Sequence, residues 1–510
     1  MLAILQFDAA SARLLDRLLG EDRLPTLAGL RTRGEWHELE APATQFAAGA
    51  QHTLYSGHAL GDHGLFYPFQ WSADEQRARY MADFYAPPPV WEQLAPTGAR
   101  TLAVDPYESR PPSVTAPGTQ VCGWQLHDRV VLRRWDSPSG VHKRLRKAFG
   151  KPDVVDEVFG THTVKEMLGL RRRLLRAPGR VADATSLLLG EGRFDLAWLT
   201  FCAAHIAGHQ FWDLSQLDPA QLDDDSAHLL GTTLEDVYVA VDAALGRVVA
   251  SLPTDTDLLV ISPVGMDVNT SRADLLPEML RAILDPSPSG LEAGDPARDG
   301  TGSGGIWRLR AALPSGLRAK VAGALPERVA LDLTARLELR GTDWSRTRAF
   351  AHPAENQGYI RLNLQGRERD GIVAPADADA LMGELAEAIA TFTDIDGTPA
   401  VRAVERVADR FGTGDRAHQL PDLIVHWTDT PATKLDGVTS PRYGTVRRHG
   451  VGSGRSGNHT AGDAWALVVP GTSEPTKLDR PPRLEDVAAT ALALAGGDPT
   501  TTAGQPLLAR

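Results

Sequence analysis

The chain has 510 residues, 42% apolar and 23% charged, with a net charge of −12. That composition supports a packed interior without disulfides, and the length suits either several domain-sized units or one large α/β domain carrying a smaller insertion. The acidic balance argues against non-specific binding of nucleic acid or anionic membrane, and two lone cysteines, Cys122 and Cys202, suit a reducing compartment rather than a disulfide framework or a cysteine zinc knuckle.

In chain order, MLAILQFD is interrupted by Gln6 and Asp8, too short and polar for a signal-peptide core, and reads as a first strand. No run approaches the ~18 apolar residues of a membrane span, so a cytoplasmic location is expected. LAILQF, TLAVD (101–105), FDLAWLTF (194–201) and DLLVIS (257–262) are near-continuous apolar runs, the pattern of parallel strands buried on both faces. Helical patterns lie between them, ASARLLDRLL (10–19) and TLEDVYVAVDAALGRVVASL (233–252), so the alternation predicts an α/β layered sheet with crossover helices. The basic runs VVLRRW, HKRLRK and LRRRLLR, within 130–180, oppose the overall charge and read as solvated helical faces. Residues 285–305, rich in Gly, Pro, Ser and Asp, predict a mobile loop or the neck of an insertion. Further strands are expected in YIRLNL (359–364), DLIVHW (422–427) and ALVVPG (466–471), and LEDVAATALALAGG predicts a C-terminal helix against the sheet. No fixed-period repeat is visible.

Open α/β sheets gather ligands beyond the carboxyl ends of their strands. Asp8 follows the first strand there, Ser262 follows DLLVI, and His205 and His209 follow Phe201. Asp8 is equally placed to cap the next helix. If AAHIAGHQFW (203–212) is helical, His205 and His209 share one face at i, i+4, where both imidazoles can reach one ion. The glycine-rich RSGNHTAGD (455–463) presents a third imidazole, His459, just before a strand.

Taken in order, these segments resemble the alkaline phosphatase superfamily in its type I phosphodiesterase/nucleotide pyrophosphatase branch. FDAASARLLDRLLGEDRLPTLAGLRTRG looks like the branch's opening. LYSGHALGDHG (54–64) looks like its T-G-x-x-P-x-x-H-G stretch, ISPVGM (261–266) stands where it has S-D-H-G-M, and HQLPDLIVHW with SGNHTAGD looks like its C-terminal ligand region. AAHIAGHQFW and GYIRLNLQGRE (358–368) are similar to a divergent bacterial subgroup with E-x-H-x-x-G-H-x-x-W and G-x-I-R-x-N-L-x-G-R-E. The resemblance implies an alkaline-phosphatase-like α/β fold, mostly parallel strands with helices on both faces, as a single domain over 1–510 with cap or insertion elements within 130–190 and 285–350.

Residue by residue, it also implies a changed site. The family's nucleophile position falls on Ala47, nine residues before Ser56, and Pro263 and Val264 replace the Asp-His pair of the second metal, leaving Asp8 alone there. The other metal's ligand positions fall on His205, His209 and His459, three neutral nitrogens suited to one zinc with an open fourth position.

The expectation is therefore a single-zinc enzyme acting on a small-molecule substrate by hydrolysis, elimination or condensation, without a covalent phospho-enzyme. Asp8 would serve as general base or orient the substrate, and His127, Arg361 and Arg367 are candidate substrate contacts. Phosphodiester hydrolysis by direct water attack and a non-catalytic ligand- or protein-binding relative are the alternatives. The Ala-, Arg-, Gly- and Leu-rich composition suits a bacterial enzyme of specialised metabolism.

Overall fold

In a computed structural model, the described residues are 1–127, 132–155, 162–285, 342–354, 356–448, 455–459 and 462–510. They divide into two compact units, Met1–Phe66 with Ala86–Val268 and Gly454–Arg510, and Tyr67–Tyr85 with Asn269–Ser453. The expectation of one domain over 1–510 thus meets a chain of two units. The expected loop of 285–305 and most of the proposed 285–350 insertion lie outside the described residues, and the 130–190 stretch belongs to the first unit.

The first unit holds an eight-stranded sheet. Its strands are β1 (Leu2–Phe7), β2 (Glu35–Glu38), β3 (Thr101–Val104), β4 (Gly118–Cys122), β5 (Trp135–Ser137), β6 (Leu196–Phe201), β7 (Asp257–Ser262) and β8 (Trp465–Val469). The spatial order is β2-β8-β7-β1-β6-β3-β4-β5. β7, β1, β6, β3 and β4 run parallel to one another, whereas β8 pairs antiparallel with β7, β2 with β8, and β5 with β4.

The apolar run of β1 is explained by this position. Leu2 pairs with both Leu196 and Asp257, so the strand is covered on both edges as well as both faces. Ala3, Leu5 and Phe7 enter one core with Leu174 and Val181 of helix α3 (Val164–Leu189) and Val237 and Leu245 of helix α5 (Thr233–Ser251). Leu2 and Ile4 point to the opposite core, with Ala50 and Leu54 of helix α2 (Ala47–Ser56) and Val487 and Leu492 of helix α6 (Glu485–Ala495). Strand alternation thus divides one sequence run between two helical layers.

Helix α1 (Ala12–Gly20) is capped by Ser11, whose side chain accepts from the Leu14 backbone N–H. Asp8 is therefore not the helix cap, and Ser11, three residues closer to the first helical turn, takes that place. Helix α4 (Ala203–Phe211) begins after a single intervening residue, Cys202, at the carboxyl end of β6, and is buried throughout. β2, β4, β5 and α2 were not anticipated from the sequence, whereas the basic run LRRRLLR, read as a helical face, lies in α3.

The second unit is built on a four-stranded antiparallel sheet, in the spatial order Ala349–His352, Gly358–Leu362, Leu423–Trp427 and Val401–Arg406. The expected strands at 359–364 and 422–427 are present, but in this separate sheet. Among the described residues, no helix is long and apolar enough to cross a membrane.

Candidate metal centre

The carboxyl ends of β1 and β6 bring Asp8 and α4 together. From α4, His205 and His209 project to one side, one turn apart, and His459 reaches them from the 455–459 segment. That segment is tied down independently. Gly457–Asn458 pairs antiparallel with Asp267–Val268, the Ser456 backbone N–H donates to the His209 carbonyl at 2.9 Å, and Ser456 Oγ accepts from the Trp212 backbone N–H at 3.1 Å. Its close approach requires glycine: a Cβ at Gly457 would sit 2.1 Å from the Gly208 carbonyl oxygen, and one at Gly208 would sit 2.6 Å from Cγ of Met266.

The imidazole tautomers follow from their acceptors. His205 Nδ1 lies 2.8 Å from the Asp8 carboxylate, His209 Nδ1 lies 3.0 Å from the Gly457 carbonyl, and His459 Nδ1 lies 3.2 Å from the Gly265 carbonyl. These oxygens accept only, so each Nδ1 carries a proton and Nε2 is the nitrogen left to present a lone pair. The three Nε2 atoms face one another, with His205 Nε2 at 3.1 Å from both His209 Nε2 and His459 Nε2.

Burial, aided by the Arg455 charge, drives the pKa of His209 well below its ordinary value. Burial does the same for His459, aided by the neighbouring His205. Converging lone pairs repel unless a cation lies among them. Tetrahedral zinc with Zn–N distances of about 2.0–2.1 Å spaces its nitrogens about 3.3 Å apart, so the donor set and its spacing fit one such ion. Outer acceptors on each Nδ1 are the usual support of metal-ligating histidines.

Asp8 is fully buried behind this cluster. One carboxylate oxygen accepts from His205, and the other accepts from Gln6 Nε2 at 3.1 Å and Gln51 Nε2 at 2.5 Å. Gln6 Oε1 in turn accepts from Tyr55 Oη, Trp198 Nε1 and Thr200 Oγ1. Ala47 opens α2, while Val264 is buried in the apolar layer with its carbonyl accepting from Ser262 Oγ. Ala47, Pro263 and Val264 offer no side-chain ligand atom, and both Asp8 oxygens accept hydrogen bonds from side chains.

The remaining expected contacts are placed as follows. His127 Nδ1 lies 3.2 Å from the Leu132 carbonyl in the first unit. Arg361 and Arg367 are in the second unit. Buried Arg361 donates to Glu368 and to the carbonyls of His418, Gln419 and Leu420, and Arg367 donates to Glu368 and Asp422. Gln6, Gln51 and Tyr107, whose ring centroid lies 4.6 Å from that of His205, were missed from sequence. Gln6, a polar residue inside an apolar strand, was the available signal.

No family model matches the chain, and no curated protein matches it in sequence. Solved structures do. Phosphonoacetate hydrolase from Sinorhizobium meliloti 1021 in complex with phosphonoacetate aligns with a TM-score of 0.52 at 13% identity, over 97% of this chain and 95% of that one. The two chains share a fold, the alkaline-phosphatase-like α/β architecture that the sequence resemblance implies. Murine ectonucleotide pyrophosphatase/phosphodiesterase 5 aligns at a TM-score of 0.45 and 12% identity, over 97% and 95% of the two chains. The alkaline phosphatase fold accounts for the parallel strands converging on Asp8 and α4.

Proposed function

We propose that this protein is a metal-dependent hydrolase of a small-molecule substrate, holding one zinc ion on His205, His209 and His459 and forming no covalent phospho-enzyme. The observation that carries the reading is the convergence of three Nε2 atoms whose Nδ1 atoms are each anchored to an oxygen acceptor. Hydrolysis is favoured over elimination or condensation because the structure of similar fold is, by name, a phosphonoacetate hydrolase.

When bound, zinc would supply a Lewis acid for a polarised acyl or phosphoryl oxygen. The chain's own residues do the rest. Asp8 holds the His205 ring and its tautomer, so we assign it as a positioning residue rather than the general base. Gln6 and Gln51 hold Asp8 in turn, with their amides where a second cation would otherwise neutralise it. Ala47 leaves no nucleophile at the start of α2, so water must attack directly. Two free, buried cysteines fit a reducing, cytoplasmic setting.

The test is metal content by inductively coupled plasma mass spectrometry on protein purified without added metal, with His459→Ala in parallel, followed by turnover of phosphonoacetate and of several phosphodiesters. About one zinc per chain, lost in the variant, with hydrolysis abolished by chelation, is expected. Absence of zinc from both proteins, with no uptake on addition, sinks the reading.

A further inference from the structure

The flank of the first unit's sheet carries a second cavity-forming feature, away from the histidines. β8 runs antiparallel to β7, so Trp465 lies beside Ser262 at the carboxyl end of β7, and Val469 lies beside Leu258 at its amino end. The 471–484 segment leaves from that amino end and is fixed at three points. Asp257 accepts from the backbone N–H groups of Gly471, Thr472 and Ser473. The Thr476 N–H donates to the Leu507 carbonyl at 2.9 Å, and Glu40 exchanges backbone bonds with Pro482 and Leu484 at 2.9 and 3.0 Å. Between the second and third of these points, the segment lines a cavity of about 550 Å³ together with β2, β8 and Leu507, all within the first unit. Small-molecule sites span about 300–1,000 Å³.

The lining joins an apolar floor to a cationic rim. Val468 and Leu507 are buried, and Leu478 is half-buried. Arg480 is held by fully buried Asp486, with Nη1 and Nη2 at 2.9 and 2.7 Å from its two oxygens, and Nη1 also donates to the Pro481 carbonyl. Its side chain is only 17% exposed, so this guanidinium is fixed, and its Nε–H is not spent on those partners. Lys477 and Arg33 line the same cavity, exposed and without an ion pair among the described residues. Glu35 is the single carboxylate among the described lining residues, and its side chain is 70% exposed. Three cations against one anion reverse the balance of a chain whose net charge is −12.

We propose that this cavity binds an anionic amphipathic small molecule, a carboxylate or phosphate monoester on a short apolar body. The body covers Val468, Leu478 and Leu507 and so removes their apolar surface from water. The head pairs with Lys477, Arg33 and the Nε–H of Arg480. A guanidinium already locked by Asp486 loses little freedom on binding, which favours affinity. The site goes beyond the hydrolase reading and does not depend on it, since none of His205, His209 and His459 lines the cavity.

The experiment is calorimetry on the full chain titrated with hexanoate, hexyl phosphate and neutral hexanol, with imidazole NMR of His37, which lines the cavity. Wild type is compared with the double variant Arg33→Met, Lys477→Met, with Leu478→Trp and with His459→Ala. Arg480 is left in place, because its removal would strand the buried Asp486 charge. Expected is saturable binding of at least one anion that moves the His37 resonances, with hexanol about tenfold or more weaker. A similar loss is expected in the double variant and in Leu478→Trp, whose larger ring fills the cavity, and unchanged affinity in His459→Ala. Tighter binding of one anion then identifies the head group. Equal affinity in wild type and the double variant, or no binding of either anion, overturns the site. So does binding that disappears in His459→Ala, which would place the anion at the histidine cluster instead.

Discussion

The Asp8 carboxylate lies 2.8 Å from Nδ1 of His205, and two glutamine amides hold it there. A carboxylate behind a ligating imidazole raises the basicity of its far nitrogen and fixes the ring. We expect Asp8→Asn, which keeps the shape and removes the charge, to weaken zinc binding about 10- to 100-fold with the fold retained. Competition against a chromophoric chelator reads the affinity directly. Unaltered affinity would show that His205 needs no such support.

The approach of the 455–459 segment to α4 is steric, so it can be broken without touching a ligand. In Gly457→Ala the new methyl meets the Gly208 carbonyl, and the backbone must retreat. Thermal unfolding should report a loss of roughly 1–3 kcal/mol, and zinc content should fall because His459 leaves the other two imidazoles. A Gly457→Ala protein with full zinc occupancy would show that the segment can shift without moving His459.

In the second unit, Glu368 is buried and accepts from Trp71 Nε1, Arg361 Nε and Arg367 Nε. Removing its charge leaves a buried Arg361 short of compensation, so Glu368→Gln should destabilise by about 3–5 kcal/mol. Denaturant melts check this. If Arg361 and Arg367 serve the substrate instead, Arg361→Met should raise KM at near-native stability.

Stability of the zinc-free protein should depend on pH through its buried histidines. The folded pKa is lowered to about 4 for His52 and about 3 for His352, and lies well below the ordinary value for His63, His209 and His459, with burial the leading cause in each. Unfolded imidazoles bind protons near pH 6.5 and these folded ones do not, so stability is full above that pH and declines as pH falls toward 4. His52 alone, moved from 6.5 to about 4, accounts for roughly 3 kcal/mol of that loss. Asp105 acts oppositely, since burial pushes its carboxyl up to about 6 and folding then favours its protonation below that pH. Burial likewise raises Asp242, Asp463 and Glu485 and lowers His142, so six histidines stand against four carboxyls. Denaturation at pH 7.5, 6 and 5 should show a net fall, and a flat profile would mean that these rings are protonated or solvated in the folded state.

Much of the first unit was legible in the residues. LAILQF, FDLAWLTF and DLLVIS became β1, β6 and β7, because a strand flanked by parallel neighbours and covered by helices is apolar along its whole length. His205 and His209 share a helix face by their spacing alone. His459, 250 residues beyond His209, was visible as an imidazole presented by a glycine-rich loop before a strand, but only the family resemblance joined it to the other two, since no local pattern links the segments.

Tertiary structure alone decided the rest. The Nδ1 partners of the triad are Asp8 and the carbonyls of Gly457 and Gly265, three separate segments whose meeting depends on sheet order and on two contacts that glycine permits. Asp8, legible as a polar residue at a strand end, could equally have been a helix cap, a base or a ligand. Its burial between Gln6, Gln51 and His205 selects among these, and it does so through hydrogen bonds spanning up to 197 residues. Local periodicity encodes which face of an element is buried, whereas the partners met on that face are set by how distant strands and helices stack.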